Sequence, residues 1–423
     1  MRNVDAAGLG IGDDYPTRVM GVLNVSEESP YDPSVFDDPG EAAAYVDDEL
    51  VGEGADIVDV GLESANKRFG VLSPAEELDR LDTAVEALHS TSGDAVWSIE
   101  TRYAEVAAEA LDRGFDMVND IAGFADPEMP AVCREYDVAV GKMASPPDLE
   151  RPGAVEETPW AERRSAEWAE RADYVDRVYE ALKQHGLTDK TIVDPAFGGW
   201  SDAKTLEDDR ETFRRLREFR GLDRPLLVSI NRKNFLRELT GRSTEAALPV
   251  SLAATAMAVE RGAHVVRTHD VAETVDAVAV GDAFGRERAA VDGDLSVEEL
   301  DVTTPGEAVR HFERVGVDDD PREATGQVYE VRGLDRESGE RLRAAADEAG
   351  CRFRLGAGRG DADAGGRPGS DERGDAGGRP GTDGRGRVGI LYGSAAALSR
   401  LAERPGVPDG VARALDPDAT RQR

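Results

Sequence analysis

Eight short apolar runs recur through the first two thirds of the chain, each followed by a longer segment of helical composition. They are RVMGVLNV, ADIVDVG, AVWSIE, DMVNDI, VAVGKM, TIVDPAF, PLLVSI and AHVVRT. Strands that alternate with helices favour parallel pairing, because a parallel pair needs a crossover that a helix supplies. Eight such units in about 270 residues fit a closed (β/α)8 TIM barrel, an α/β fold, better than an open sheet. The intervening segments PAEELDRLDTAVEAL, YAEVAAEALDRG and TLEDDRETFRRLREF have helical composition, and in the last of them Leu206, Phe213 and Leu216 can share an inward stripe.

The pattern changes after Gly285, so the expected domains are a barrel over 1–285 and a smaller C-terminal α/β appendage over 286–423. In the appendage TPGEAVRHFERV reads as a helix, QVYEVRG as a strand and 337–349 as a second helix, and RVGILYG and AAALSRLAERP add a further strand and helix. Between them DAGGRPGSDERG is followed directly by DAGGRPGTDGRG, inside a Gly/Arg/Asp-rich low-complexity stretch over 357–387. With almost no apolar side chains to bury, this insertion is expected to be disordered.

Acidic residues outnumber basic ones by 86 to 51, for a formal net charge of −35. That balance opposes nonspecific attraction to nucleic-acid phosphates or anionic membranes and suits a salt-adapted, halophilic protein. Neither a signal segment nor an apolar run of membrane-spanning length is evident, so the expected location is cytoplasmic. The two cysteines, Cys133 and Cys351, form neither a CxxC pair nor a disulfide framework and read as structural residues.

Polar residues that follow barrel strands converge on one mouth. Here they are Asn24, Glu100, Asn119 with Asp120, Asp194, Arg232 with Lys233, and Arg267 with His269 and Asp270. A carboxylate and an amide can read the donor edge of a nitrogen heterocycle, while Arg and Lys stabilise phosphate charge. Each residue alone reads equally as a turn or cap residue, and His269 alone as a packed structural histidine. Lys67, Lys142 and Lys233 stand near strand ends in a chain that otherwise uses Arg almost everywhere, which suggests functional retention.

The ordered segments GVLNVSEES, DIVDVGLES, SIET, MVNDIAG, IVDPAFG, INRKNF and SLAATAMAVERGAHVVRTHDV closely resemble the signatures of the dihydropteroate synthase family, from about Val19 to Val280. The resemblance implies condensation of 6-hydroxymethyl-7,8-dihydropterin diphosphate with p-aminobenzoate, giving 7,8-dihydropteroate and diphosphate in folate biosynthesis. It further implies substrate contacts from Glu100 (in place of the usual aspartate), Asn119, Asp194, Lys233 and Arg267, and catalytic roles for Lys233, Arg267 and His269. It implies Mg²⁺ as cofactor with Asn24 as the metal contact, and a homodimer. The chain departs from the family pattern at Ala65, Asn66 and Lys67, at Asn231, and in AFGGW, where Trp200 stands near a lost aromatic. Most departures fall on the amine side. A noncatalytic pterin-binding accessory protein and another pterin enzyme, such as a corrinoid-linked methyltransferase, remain as alternatives.

Overall fold

The computed structural model of the chain describes residues 3–25, 34–63, 71–156, 158–161, 164–198, 201, 203–284, 289–292, 295–298, 300–355 and 387–415. The chain divides into two compact units, Met1–Leu300 and Asp301–Arg423.

The first unit opens with a hairpin, β1 (Val4–Ala6) and β2 (Leu9–Ile11). Eight parallel strands follow: β3 (Arg18–Asn24), β4 (Ile57–Gly61), β5 (Val96–Thr101), β6 (Met117–Asp120), β7 (Ala139–Met143), β8 (Thr191–Asp194), β9 (Leu227–Val228) and β10 (Val265–Thr268). They pair in the order β8-β7-β6-β5-β4-β3-β10-β9. The ring closes where Val193 bridges Leu226 and donates its N–H to the Pro225 carbonyl at 2.9 Å. This is the expected TIM barrel.

Successive strand residues face opposite sides of the wall, and that alternation sorts the sequence. One inward residue from every strand builds the lowest interior layer: Met20, Ile57, Val96, Met117, Ala139, Ile192, Leu227 and Val265. Val4, Ala6 and Ile11 of the hairpin pack against that layer, so the N-terminal end of the barrel is apolar and filled. The outward residues Val19, Leu23, Val58, Val60, Trp97, Ile99, Val118 and Val140 pack against the surrounding helices, among them Pro74–Ser90 and Ala104–Asp112. With the bottom closed, polar interior residues are confined to the C-terminal half.

Three local expectations are corrected. The sixth run, TIVDPAF, ends as a strand at Asp194, because Pro195 has no N–H to continue the ladder. The seventh run, PLLVSI, is a strand only at Leu227 and Val228, with a single further bridge at Leu226. Leu206 does not join Phe213 and Leu216 in the core: it is 36% exposed at the first turn of the helix Leu206–Arg214, behind the Thr205 capping box. The buried face of that helix carries Asp209, Thr212 and Phe213 instead, since Lys204 and the Gly198 N–H draw the Asp209 carboxylate inward.

After the helix Val271–Ala283 the first unit finishes with an antiparallel hairpin, β11 (Ala289–Asp292) and β12 (Leu295–Glu298). The second unit contains the helix Pro305–Val315, then β13 (Gly326–Leu334), the helix Arg336–Ala349, β14 (Arg352–Leu355), β15 (Arg387–Ser394) and the helices Ala395–Ala402 and Asp409–Leu415. Its sheet is antiparallel in the order β13-β15-β14. Leu342, Phe353, Leu391, Leu398 and Leu401 form its core. Apart from Arg387, the low-complexity stretch lies outside the described residues, as do Ala65, Asn66, Lys67 and Trp200. Cys133 and Cys351 are both free and buried. No helix among the described residues is long and apolar enough to cross a membrane.

The filled lower layer should carry much of the barrel's stability. Ile57→Ala, in a side chain with no exposed surface between Met20 and Val96, is expected to destabilise the fold by about 2–5 kcal/mol in chemical denaturation. A change below about 1 kcal/mol would mean that the layer is loosely packed.

Candidate active site

One step above the apolar layer the inward positions turn polar: Asp59 on β4, Ser98 on β5, Asn119 on β6, Asp194 on β8 and Arg267 on β10. Asp59 is fully buried and gathers three of these neighbours. It accepts hydrogen bonds from Ser98 Oγ at 2.7 Å, Asn119 Nδ2 at 2.9 Å and Arg267 Nε at 2.7 Å. Arg267 donates its Nη2 to Glu100 at 2.5 Å. Burial opposes the charge on Arg267, yet the Glu100 and Asp59 carboxylates outweigh it and hold its pKa above the usual value. Burial lifts the Glu100 pKa, against the pull of Arg267. Asp59 was not among the residues singled out from the sequence. Its parity was the available signal, because residues 57, 59 and 61 alternate on the inner wall.

Asp194 sits at the end of β8 and accepts the Ala196 N–H at 2.7 Å, inside a turn where Ala196 has φ 62°. Burial raises its pKa to about 6, against the attraction of Lys233 and Arg267. Gly198, at φ 110°, leaves room for Lys233: a Cβ there would lie 3.2 Å from the lysine Nζ. The turn is latched from below by Lys204, whose Nζ donates to the Ala196 carbonyl at 2.6 Å and pairs with Asp209 at 2.7 Å. Both members of that ion pair are almost wholly buried. Burial, with Arg267 next, lowers the Lys233 pKa, while Asp194 opposes the change.

The third group lies at the ends of β3 and β10. Asn24 Nδ2 donates to Ser34 Oγ at 2.9 Å, and the same oxygen is 3.2 Å from His269 Nδ1. Burial, then Arg267 and Lys233, push the His269 pKa down to about 3, so its imidazole is neutral at physiological pH. A Cβ on Gly61 would lie 3.0 Å from Asn24 Oδ1 and 3.8 Å from Glu100 Oε1. Gly61 therefore keeps open a small space bordered by two hard oxygen atoms. Among the described residues no three of His, Cys, Asp or Glu cluster to hold a metal.

The seven residues expected at the site, Asn24, Glu100, Asn119, Asp194, Lys233, Arg267 and His269, thus come together at the C-terminal mouth. Three other expectations need correction. Lys142 points outward, two residues from Val140, and donates to the Gln184 and Gly186 carbonyls while lying 4.5 Å above the Phe124 ring. Burial lowers its pKa to about 7. It braces the helix layer. Asp120, also outward, accepts the Ala122 and Phe124 N–H groups and shapes the turn after β6. Arg232, at φ 53°, is locked to Asp270 through Nε at 2.8 Å and Nη2 at 2.7 Å, and to the Thr244 and Glu245 carbonyls. Asn231 also donates to Asp270, at 2.9 Å. That bidentate clamp makes Arg232 and Asp270 a brace that turns Lys233 into the mouth.

Comparison with known proteins supplies independent findings. The family of pterin binding enzymes matches residues 20–269. A probable bifunctional folylpolyglutamate synthase/dihydropteroate synthase of Halobacterium salinarum is 34% identical over 267 residues, which are 63% of this chain and 31% of that protein. The chain thus spans about a third of the length of the bifunctional relatives it matches. Escherichia coli dihydropteroate synthase is 31% identical over 285 residues, 66% of this chain and 95% of that protein. A crystal structure of dihydropteroate synthase from Thermus thermophilus in complex with 4-aminobenzoate superposes with a TM-score of 0.53 at 30% identity, covering 67% of this chain and all of that one.

Asp59 is the point on which the interior network depends. Asp59→Asn removes the charge facing Arg267 and presents an amide donor to groups that are themselves donors. It is expected to lower stability by about 3 kcal/mol, read by chemical denaturation. Asp82→Asn, at an exposed carboxylate beside Arg113, should change stability by less than about 1 kcal/mol.

Proposed function

The chain belongs to the pterin binding enzyme family, and from that premise we propose that it is a dihydropteroate synthase. It would join 6-hydroxymethyl-7,8-dihydropterin diphosphate to p-aminobenzoate, forming 7,8-dihydropteroate and releasing diphosphate. The observation that carries this reading is the joint placement of Arg267, Lys233 and neutral His269 around the buried acceptors Asp194 and Asn119 at one mouth.

In this reading the pterin edge that carries the ring N–H and amino group faces the Asp194 carboxylate, with Asn119 alongside. Asn119 is oriented by its bond to Asp59, which leaves its amide oxygen free of that contact. Arg267 is held at Nε and Nη2, so its planar group is fixed before substrate arrives, and little ordering entropy remains to be lost on binding. In the reaction the bond from the pterin methylene to the diphosphate oxygen breaks, the electron pair leaves with diphosphate, and the aryl amine nitrogen attacks the methylene carbon and then loses a proton. In this reading Lys233 and Arg267 stabilise the departing charge. A neutral His269 can donate one hydrogen bond to a phosphate oxygen without itself being a charged group. Glu100, longer by one methylene than the aspartate of the family pattern, reaches Arg267 directly.

Mg²⁺ fits the residues present. Asn24 Oδ1 and Glu100 Oε1 border the space kept by Gly61, and Mg²⁺ commonly uses few protein oxygens together with waters and substrate phosphates. When bound it would neutralise charge on the diphosphate. The proposal extends to a salt-adapted cytoplasmic enzyme and to a homodimer formed through barrel helices away from the mouth.

The test supplies the purified full chain, in concentrated KCl with Mg²⁺, with the pterin diphosphate and p-aminobenzoate, and follows dihydropteroate and diphosphate. Turnover is expected, and Lys233→Ala should lower kcat about 10²–10³-fold while Lys142→Met leaves it within a few-fold. Tight pterin binding with no product under any salt or metal condition would select a noncatalytic pterin-binding protein instead.

The Asp194 carboxyl generates a separate expectation. Its pKa of about 6 in the free protein means that a pterin needing the ionised carboxylate must displace a proton at lower pH. Pterin affinity should therefore be full above about pH 6 and fall about tenfold per unit below it, as calorimetric titration would measure. Asp194→Asn should bind weakly with no such slope. An Asp194→Asn variant that binds pterin as tightly as the wild type would remove Asp194 from this role.

A further inference from the structure

The loop between Asp194 and the helix Leu206–Arg214 carries an ion pair that takes no part in the proposed reaction. Lys204 and Asp209 meet at 2.7 Å with both side chains almost wholly buried. A buried pair of this kind contributes little stability beyond what a well-packed apolar pair of the same volume would supply. Its place in the loop points to another role. Lys204 Nζ donates to the Ala196 carbonyl at 2.6 Å, and Asp209 accepts the Gly198 N–H at 3.2 and 3.3 Å through its two oxygens. The ammonium also faces the Tyr174 ring, 5.5 Å from its centroid, so it is engaged on three sides.

Each of the two held residues touches a member of the site. Ala196 stands at φ 62°, a left-handed conformation that costs an alanine about 1 kcal/mol and persists where surrounding bonds enforce it. Its N–H donates to Asp194 Oδ1 at 2.7 Å while its carbonyl receives Lys204, so the residue is fixed from both ends. Gly198, at φ 110°, lies against Lys233: a Cβ there would stand 3.2 Å from both Cδ and Nζ of the lysine. Holding the Gly198 N–H therefore holds the surface on which Lys233 rests. Burial raises the Asp194 pKa to about 6, and the Ala196 N–H, then Lys233, Arg267 and Lys204, oppose that rise.

Resting on the reading of Asp194 as the pterin acceptor, we propose that the Lys204–Asp209 pair is a positioning element for the substrate site. Lys204 acts through Ala196 to aim the Asp194 carboxylate, and Asp209 acts through Gly198 to seat Lys233. In this role neither residue of the pair needs to touch substrate. With Lys204 in place, one Asp194 oxygen is held by the Ala196 N–H and the other takes the pterin donor edge. Without it, Ala196 relaxes out of the left-handed region and its N–H turns away. The carboxylate then loses both its direction and a bond that favours its charged form. A glycine at position 196 adopts φ 62° without that cost, so Ala196→Gly makes the turn less dependent on Lys204.

The test measures binding of the pterin diphosphate to the full chain by calorimetry in concentrated KCl, a readout independent of turnover. Lys204→Met combined with Asp209→Asn removes both charges without leaving a lone buried carboxylate, and keeps an acceptor for the Gly198 N–H. This double variant should bind pterin about tenfold more weakly at pH 8, and the low-pH fall in affinity should begin above the wild-type value of about 6. Adding Ala196→Gly should restore affinity to within about threefold of wild type, which a general loss of packing would not allow. A double variant with wild-type affinity and pH onset, or one that circular dichroism shows to be unfolded, would overturn the proposal. So would an intact fold in which Ala196→Gly restores nothing. A wild-type chain that binds no pterin would instead overturn the reading of the site, and the positioning role with it.

Discussion

A guanidinium inside a barrel is the constraint around which the upper half of this interior is arranged. Arg267 lies on the inner wall of β10, where water cannot fully solvate it, so its charge requires opposite charge and hydrogen-bond acceptors within reach. Asp59 and Glu100 meet that need from β4 and β5. Asp59, fully buried, in turn requires donors for its remaining lone pairs, and Ser98 and Asn119 supply them from β5 and β6. Four strands are thereby tied together by polar contacts one layer above the apolar floor. The orientation of every member is fixed by the needs of its neighbour, so the mouth is preorganised before any ligand enters.

The same logic explains what could be read in the sequence and what could not. The barrel was legible because eight apolar runs alternate with helices, a count and length that suit a closed barrel better than an open sheet. The strand-end residues were legible as a set, but their individual roles depended on which side of the wall they face. Lys142 and Lys233 look alike in sequence. Counting in twos from Val140 puts Lys142 among the helices, whereas Lys233 follows the strand and is turned inward by the clamp between Arg232 and Asp270. Asp59 was passed over because it lies within its strand rather than after it, although the same count places it inside. The N-terminal hairpin was hidden for another reason: its strands have three residues each, too short for any periodicity.

The rim of the mouth is stabilised separately from its interior. The loop after β8 is held by Lys204 against Asp209 and the Ala196 carbonyl, and the loop after β9 by Arg232 against Asp270. The first closes over a short stretch of chain, the second ties the loop after β9 to the loop after β10, and neither shares a hydrogen bond with Asp59. A substitution in one loop therefore need not disturb Arg267 or Asn119.

The two units manage exposed backbone in opposite ways. In the barrel, Val193 and Leu226 join the first and last strands of the sheet order, so every strand has neighbours on both sides and the wall offers no edge. Its specificity must then come from side chains at the mouth. The smaller sheet ends at β13, whose backbone groups on one side have no partner strand among the described residues; there a register shift after Val331, with Gly333 at φ 82°, interrupts the strand, and Glu330 and Arg332 pair with each other on its exposed face. A bulge and charged side chains on an edge strand both discourage the addition of a further strand.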